Sequence, residues 1–514
     1  MEGVHAHFLW IDWTVLGLYL VVTTWIGHAL RGKQSTMQDF FLAGRSLPWQ
    51  AVCGSIVATE ISAITFVGVP GMVFAAGGDF TYLQWGIGSL LARVIVGIWF
   101  VKVFYQRGIF SPYDYMQLRL GAGARAFTTS LFFVGSILGQ SVRLLVTALI
   151  LWTVTGLAFG WCIVIIGVFA IGWTMMGGMT TVIWTDVIQF FVFIGGGLLA
   201  FIVLISGIDG GFAQFAAEAG AAGKLRVLDL STNPNVQFTL WVGLLAMPFQ
   251  NVAAFGTDQL NAQRMFCCRT AGDASKAIIG SSISLLVTVL MLAVGAALYV
   301  YYQQHAPGAG AAALFAKDPD SVFPVWITTV LPPGVSGLIL AGAFAAAISS
   351  LDSALAALSQ TSMALWHGKG GLEATDQSRL LRQSRFVVVG WGLTLILMAL
   401  GLQAMRGQIN LLSLAFGMVA YTYGPMLGAF LLALSPLRRD IRGLVIGAVL
   451  SILLVLWVRP DIYSILTSLS MITPEQALAW RPKINFAWLY PITCLLTLGC
   501  GIALGRKPDA PRAA

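Results

Sequence analysis

Three stretches of this 514-residue chain set polar groups among apolar neighbours, and each has the chemistry of an ion or solute site. The first is Ala58-Thr59-Glu60-Ile61-Ser62-Ala63, followed by Thr65, Gly68, Pro70 and Gly71. A carboxylate, hydroxyls and a proline inside an apolar span predict a helix interrupted in mid-membrane. The second is Met247-Pro248-Phe249-Gln250-Asn251, then Gly256-Thr257-Asp258-Gln259, with a proline and paired amides. An unwound stretch frees carbonyls for a cation, and half-helix N-termini favour an anionic group. The third is Ala345-Ala346-Ala347-Ile348-Ser349-Ser350-Leu351-Asp352-Ser353. Here Ala346, Ser349, Ser350 and Ser353 follow the i, i+3, i+4, i+7 spacing of one helix face. Sodium is a hard cation that takes oxygen ligands, and carbonyls with hydroxyls suffice. Small residues also suit close helix packing, with serine bonding back to the i−4 carbonyl; Asp352 favours a site.

Ionisable groups within membrane spans are functional candidates by default. Arg143, in Gln140-Ser141-Val142-Arg143-Leu144, is open to two readings, a substrate ligand or a salt bridge to a buried carboxylate. Asp186, in Trp184-Thr185-Asp186-Val187, and Asp352 are two carboxylates that repel if close, unless a cation lies between them. Asp352 is equally open to pairing with a basic residue such as Arg264, or to facing a water-filled vestibule. Arg93, near the middle of its span, reads as structural.

Composition says what must position these groups. The chain is 58% hydrophobic and 10% charged, with 17 Trp and a mean hydropathy of +0.83. Soluble proteins are about 25% charged, so this is an all-α polytopic membrane protein rather than a string of soluble domains. A window of about 19 residues gives about thirteen spans, near 10–30, 48–77, 82–106, 126–153, 158–177, 183–206, 236–260, 275–302, 328–366, 384–403, 409–434, 441–458 and 486–505. The span at 328–366 is too long for one simple crossing and predicts an extra turn or short helix. The loops near 207–235, 303–327 and 459–485 predict short surface helices. Either proline-bearing break alone is ambiguous, since kinks are common in membrane helices. The two fall in the second and seventh spans, however, with five spans starting at each. Interrupted helices in corresponding positions point to an inverted-repeat secondary transporter.

Lys and Arg fix the expected orientation. Nineteen lie on one side: Arg31, Lys33, Arg45; Arg107, Arg119, Arg125; Arg264, Arg269, Lys276; Lys369, Arg379, Arg382, Arg385; Arg438, Arg439, Arg442; Arg506, Lys507, Arg512. Seven lie opposite: Lys224, Arg226, Lys317, Arg406, Arg459, Arg481 and Lys483. The richer side is expected in the cytoplasm, with the N-terminus outside and the C-terminus inside. The net charge of +8 is thereby explained without a nucleic-acid partner. The six cysteines show no zinc spacing, and no disulfide framework is expected. The first apolar run is led by Glu2 and Asp12, unlike a cleavable signal. No nucleotide-binding loop is present to drive a pump. Gly334-Val335-Ser336-Gly337 matches a short motif of intramembrane serine proteases, but His5, His7, His28, His305 and His367 fall at ends or in loops, so no base is placed. The tail after Arg506 has no room for a signalling domain.

At these residues the chain resembles the sodium–solute symporter family, over roughly residues 10–505. The matching pieces are Asp39-Phe40-Phe41-Leu42-Ala43-Gly44-Arg45, Ile61-Ser62-Ala63 with Gly68-Val69-Pro70-Gly71, Gly177-Gly178 before Trp184-Thr185-Asp186, Thr257-Asp258-Gln259 with Gln263-Arg264, and Ser349-Ser350. Trp184-Thr185-Asp186-Val187-Ile188-Gln189 looks most like the monocarboxylate and vitamin branch. The resemblance implies a LeuT-like core of five-helix inverted repeats at 48–206 and 236–434. A leading helix and cytoplasmic loop (1–47) precede it, and two trailing helices with a cytoplasmic tail (435–514) follow. It implies no enzyme but a sodium-coupled symporter that brings a small organic solute, a carboxylate among the candidates, across the plasma or bacterial inner membrane. Proton coupling through Glu60, Asp186 and Asp352 is the alternative, against which the paired serines argue. The implied sodium ligands are the carbonyls of Ala58, Ile61 and Ala346 with the hydroxyls of Ser349 and Ser350. A second sodium, present in some members, maps to Asp186, Asp352 and Ser353 with Ser349. Substrate positions map to Glu60, Thr65, Gln84, Arg143 and Asn251. Glu60 stands where proline carriers have a functional aspartate. Relative to the sugar carriers, Asn251 keeps a polar ligand and Gln84 replaces an acid. Thr65 stands for an amide, Ala254 for a stacking aromatic and Leu285 for a lysine, so a hexose fits poorly. Arg143 lies about one turn from an arginine of the sialic-acid branch. The sequence indicates no oligomeric state.

Overall fold

A computed structural model describes residues 8–30, 37–109, 111–176, 178–374, 377–403, 411–437, 439–468 and 470–506. Gly177, His5, His7, Arg31, Lys33, Arg406, Arg438, Lys507 and Arg512, used above, lie outside them, as does the side chain of Lys369. The described chain is helical and forms no strand, only a bridge between Leu47 and Cys268. Its main helices are α1 (Trp10–Ala29), α2 (Trp49–Glu60), α3 (Ala63–Phe74), α4 (Trp85–Ile95), α5 (Ala122–Thr155), α6 (Phe159–Met176) and α7 (Met179–Ser206). In the second half they are α8 (Met247–Val252), α9 (Gln259–Met265), α10 (Ala271–Gly280), α11 (Ser284–Gln304), α12 (Val335–Ala374), α13 (Gln377–Leu402), α14 (Leu411–Leu434), α15 (Arg442–Val458) and α16 (Leu489–Leu504).

Among the described residues nine helices are long and apolar enough to cross a membrane, or eleven when two bent pairs are each counted as one span. The sequence expectation of about thirteen also included α6, which is shorter, and the stretch 236–260, which is divided into short pieces. The span expected at 328–366 is one continuous helix, α12, of 40 residues, and a separate helix, Val322–Thr329, precedes it. Short helices occupy the three long loops, at Gly211–Ala221, Ala309–Lys317, and Pro460–Ser468 with Pro474–Trp480.

The two breaks have local causes. The α2–α3 pair bends by 52° because Ile61 and Ser62 are extended, and the Ser62 hydroxyl caps α3 by accepting from the Ile64 N–H at 3.3 Å. In the second half Pro248 sits in the first turn of α8, where its missing N–H costs least. The chain leaves the helix ten residues later, at Asp258 (φ −79°, ψ 128°), whose carboxylate caps α9 by accepting from Leu260 N at 2.9 Å. π-helical turns at Val242–Ala246 and Ala253–Thr257 flank α8.

Glycine lets these pieces approach. A Cβ on Gly243 would lie 2.0 Å from the Gln84 carbonyl oxygen, and one on Gly295 of α11 would lie 2.7 Å from that of Pro70. The C-terminal end of α3 is closed by Lys224, whose ammonium donates to the carbonyls of Val73 and Ala75, both at 2.7 Å. Burial pushes this lysine below its ordinary range, and Asp79 partly offsets the shift. The Gly334–Gly337 motif begins α12. Its Gly334 and Gly337 N–H groups donate to buried Asp12 of α1 at 2.7 and 2.8 Å, so the motif serves as a helix start.

Candidate functional site

The first break exposes oxygen. Ile61 is the last residue whose N–H bonds back into α2, to Val57 at 2.9 Å, so the next carbonyls have lost their helical donors. Ala58 and Ile61 come together with Ala346 of α12 and with Gln189, Phe190 and Phe193 of α7 around a gap too small for a water molecule. The amide oxygen of Gln189 is buried there with no partner. Ser350 Oγ lies 3.1 Å from the Ala346 carbonyl and 3.2 Å from that of Thr59. Ser349 donates to Asp186, which leaves its oxygen lone pairs available. A carbonyl-and-hydroxyl set without a direct carboxylate ligand suits a monovalent hard cation. The five expected sodium ligands thus lie on α2, its break and one face of α12.

Behind Ser349 stands a buried ionic junction. Asp186 of α7 accepts from Ser55 of α2 at 2.5 Å, from Ser349, and from Arg264 of α9 at 3.0 Å. The Arg264 guanidinium also donates to Ser55 at 2.9 Å, to the Leu260 carbonyl at 2.7 Å and to Ser353. Arg264 therefore pairs with Asp186, where the sequence had offered it to Asp352. Of the residues mapped to a second sodium, Asp186 and Ser353 are both held by this fixed cation. Asp352 is buried, and its Oδ1 has no partner.

A larger cavity of about 180 Å³ opens beside the two breaks. Glu60, Thr65, Arg143 and Asn251 line it; Gln84 does not. The Gln84 amide is bound instead to a distant segment, donating to the Phe238 carbonyl at 3.0 Å and accepting from Asp229 N at 3.2 Å. Sequence spacing could not reveal this, because the partners belong to a distant loop. Glu60 is ion-paired with Arg93, which is fully buried and also donates to Ser281 and Ser284, each at 3.0 Å. Arg143 donates to the freed Thr59 carbonyl at 3.2 Å. Among the described residues no carboxylate comes within 4.0 Å of its guanidinium.

The cavity also contains residues the sequence did not assign a role. Gln140 lies one turn before Arg143 on α5, a spacing that shares a face. Gln250 lies in the proline-bearing stretch that marked the second break. Asn261 follows the break on α9, and Tyr423 of α14 donates to Asp258 at 2.7 Å. No local pattern marks Tyr423. Trp85 closes one wall, with ring centroids 5.0 Å from Phe238 and 5.3 Å from Phe416.

Comparison with known proteins shows the family of the chain and its fold. A family model described as the sodium:solute symporter family matches residues 40–451. The human sodium/iodide cotransporter is 29% identical over 465 residues, spanning 87% of this chain and 69% of the relative. The sodium-coupled monocarboxylate transporter 1 of Xenopus laevis is 29% identical over 456 residues, spanning 87% and 71%. A solved sodium-coupled sialic acid symporter, substrate-bound and outward-open, superposes with a TM-score of 0.80 at 26% identity, covering 96% of this chain and 97% of its own.

Proposed function

The chain belongs to the sodium:solute symporter family, and from that premise we propose where its sodium and its solute sit. It is a multi-pass membrane transporter, not an enzyme, and couples movement of a small organic solute to sodium. The sodium is held by the carbonyls of Ala58, Ile61 and Ala346 and the hydroxyls of Ser349 and Ser350. The observation that carries this is the break at Ile61, which ends the hydrogen-bond ladder of α2 where Ala58 and Ile61 meet Ala346 of α12. Glu60 and Asp186 are each paired with an arginine, which favours sodium over a titrating carboxylate. One sodium is coupled in this arrangement, because Arg264 already serves as the cation for Asp186 and Ser353.

The solute lies in the cavity against Thr65, Arg143 and Asn251, with Glu60 held at its edge by Arg93. Arg143 receives an anionic group, since a guanidinium without a counter-ion at membrane depth is costly. The orientation that fits the loop charges puts the N-terminus outside and the C-terminus in the cytoplasm of a cell with this protein in its plasma or inner membrane. The repeats are 48–206 and 236–434, flanked by 1–47 and 435–514. Inward movement of one charge through 100 mV supplies about 2.3 kcal/mol, more than the roughly 1.4 kcal/mol of a tenfold gradient. Uptake into proteoliposomes by Ser349→Ala/Ser350→Ala is expected to lose its sodium activation. Unchanged sodium activation in that double variant overturns the site.

A further inference from the structure

We propose that Asp258 is the counter-ion Arg143 takes when no solute is bound, and that Tyr423 holds it back while solute is present. This rests on reading Arg143 as the group that receives the solute's anion, and adds what replaces that anion on the return step. A symporter working by alternating access must turn back with its solute site empty. An arginine at membrane depth needs a partner at that step too.

Among the described residues two carboxylates line the cavity with Arg143, Glu60 and Asp258. Glu60 is committed. Its partner Arg93 is fully buried, and a departing Glu60 would strand that charge. Asp258 has no basic partner within 4.0 Å among the described residues. It accepts from the Leu260 N–H, which moves with it, and from the Tyr423 hydroxyl of α14 at 2.7 Å. Both donors are neutral, and an ionised carboxylate has about four acceptor positions, so a guanidinium can join or displace the hydroxyl.

The packing of α5 on α14 brings the three groups together. The two helices are antiparallel, with Gly135 against Thr422 and Gly139 against Val419, each so close that a Cβ would clash. Helical side chains lean toward the N-terminus. Arg143 therefore leans back to the level of Gly139, and Tyr423 to that of Val419, which is the same level. Arg143, Asp258 and Tyr423 lie within electrostatic range of one another. Two anions then compete for one guanidinium. Tyr423 favours the solute by occupying Asp258, and departure of the solute leaves Arg143 to take the carboxylate. The paired site turns back with no net charge.

The test uses pyruvate as the anion and the full-length protein, with thermal stabilisation in sodium to read binding and proteoliposomes to read transport. Asp258→Asn removes the competing charge and keeps the α9 cap, since asparagine caps as well as aspartate. It is expected to lower the half-stabilising pyruvate concentration about tenfold, and Tyr423→Phe to raise it about tenfold, the scale of one charged hydrogen bond. Net sodium-driven uptake by Asp258→Asn is expected to fall about tenfold in kcat, while exchange of labelled for unlabelled pyruvate, which needs no empty return, stays within about twofold. Net uptake and exchange slowed alike, or pyruvate bound no more tightly by Asp258→Asn, overturns the counter-ion. Weaker pyruvate binding by Arg143→Gln than by the unaltered protein then leaves the anion site standing without it. Equal binding by those two proteins, including none by either, overturns the anion site and this proposal with it. Where Asp258→Asn does not fold, Tyr423→Phe decides, and an unchanged or lowered half-stabilising concentration overturns the proposal.

Discussion

Two arginines of the bundle are held in opposite ways. Arg264 is fully buried, and all three guanidinium nitrogens have partners, on Ser55, Leu260, Asp186 and Ser353. Arg143 faces the cavity and, among the described residues, has one hydrogen-bond partner, the Thr59 carbonyl. The first charge joins α2 to α7, α9 and α12, and so belongs to the frame. The second is held only loosely, at a carbonyl that the break itself releases. Inside a membrane the same residue type is a structural part or a ligand-receiving group according to how many of its donors the protein fills. The sequence placed Arg143 inside a span and counted Arg264 among the loop charges, because Asn261 and Gln263 beside it read as a loop; the structure instead buries Arg264 on α9.

The largest effect is therefore expected at Arg264. Removing one partner of a buried ion pair typically costs about 3–5 kcal/mol, because the other charge is left unpaired. Arg264→Gln is expected to lower the thermal midpoint sharply in detergent and to yield little monodisperse protein. Asp186→Asn in the same chain should recover much of the loss by removing the stranded carboxylate. A single variant as stable as the unaltered protein breaks the comparison.

Arg143→Gln is expected to behave differently. Its thermal midpoint should remain close to that of the unaltered protein, while the KM for the carboxylate solute rises about tenfold to a hundredfold, as for a lost charged hydrogen bond. Arg143→Lys should fall between, keeping the charge without the planar fork. A destabilised Arg143→Gln that is rescued by neutralising Glu60 or Asp258 would make Arg143 a second frame residue.

How much of this was legible follows from where the information lies. The α2–α3 break was readable because its causes are local: Ser62 and the polar run before it stand against an apolar background. The second break was marked by both of its polar stretches, yet the proline falls where a helix tolerates it and Asp258 makes the turn. The face of Ala346, Ser349, Ser350 and Ser353 was readable from helical spacing alone. The pairings were not. Arg264 with Asp186, Glu60 with Arg93 and Tyr423 with Asp258 join segments far apart in sequence, and nothing in a single chain's spacing selects one partner among several buried charges. Gln84 illustrates the converse: a polar residue at a position that matches a ligand site, whose amide is bound to Asp229 and Phe238, far away in sequence.

The smallest effect is expected at Asp352, and it tests whether Arg264 stays in place. Two buried carboxylates on neighbouring helices require a cation nearby, or one of them takes up a proton. Arg264 meets that requirement for Asp186 and holds Ser353 as well, so no sodium is needed to balance the pair. Asp352 is left to one side, with an oxygen that has no partner, and contributes no ligand to a coupled ion. Sodium activation of the unaltered protein at saturating solute should then be hyperbolic at every membrane potential. In Asp352→Asn it should stay hyperbolic, with a half-activating concentration changed by less than about threefold, or about 0.7 kcal/mol, because Asp352 supplies no ligand to the coupled ion. A sigmoidal curve that becomes hyperbolic in Asp352→Asn would place a second sodium between Asp352 and Asp186. Arg264 would then have to withdraw during the cycle, and the charge assigned to the frame would be a moving part.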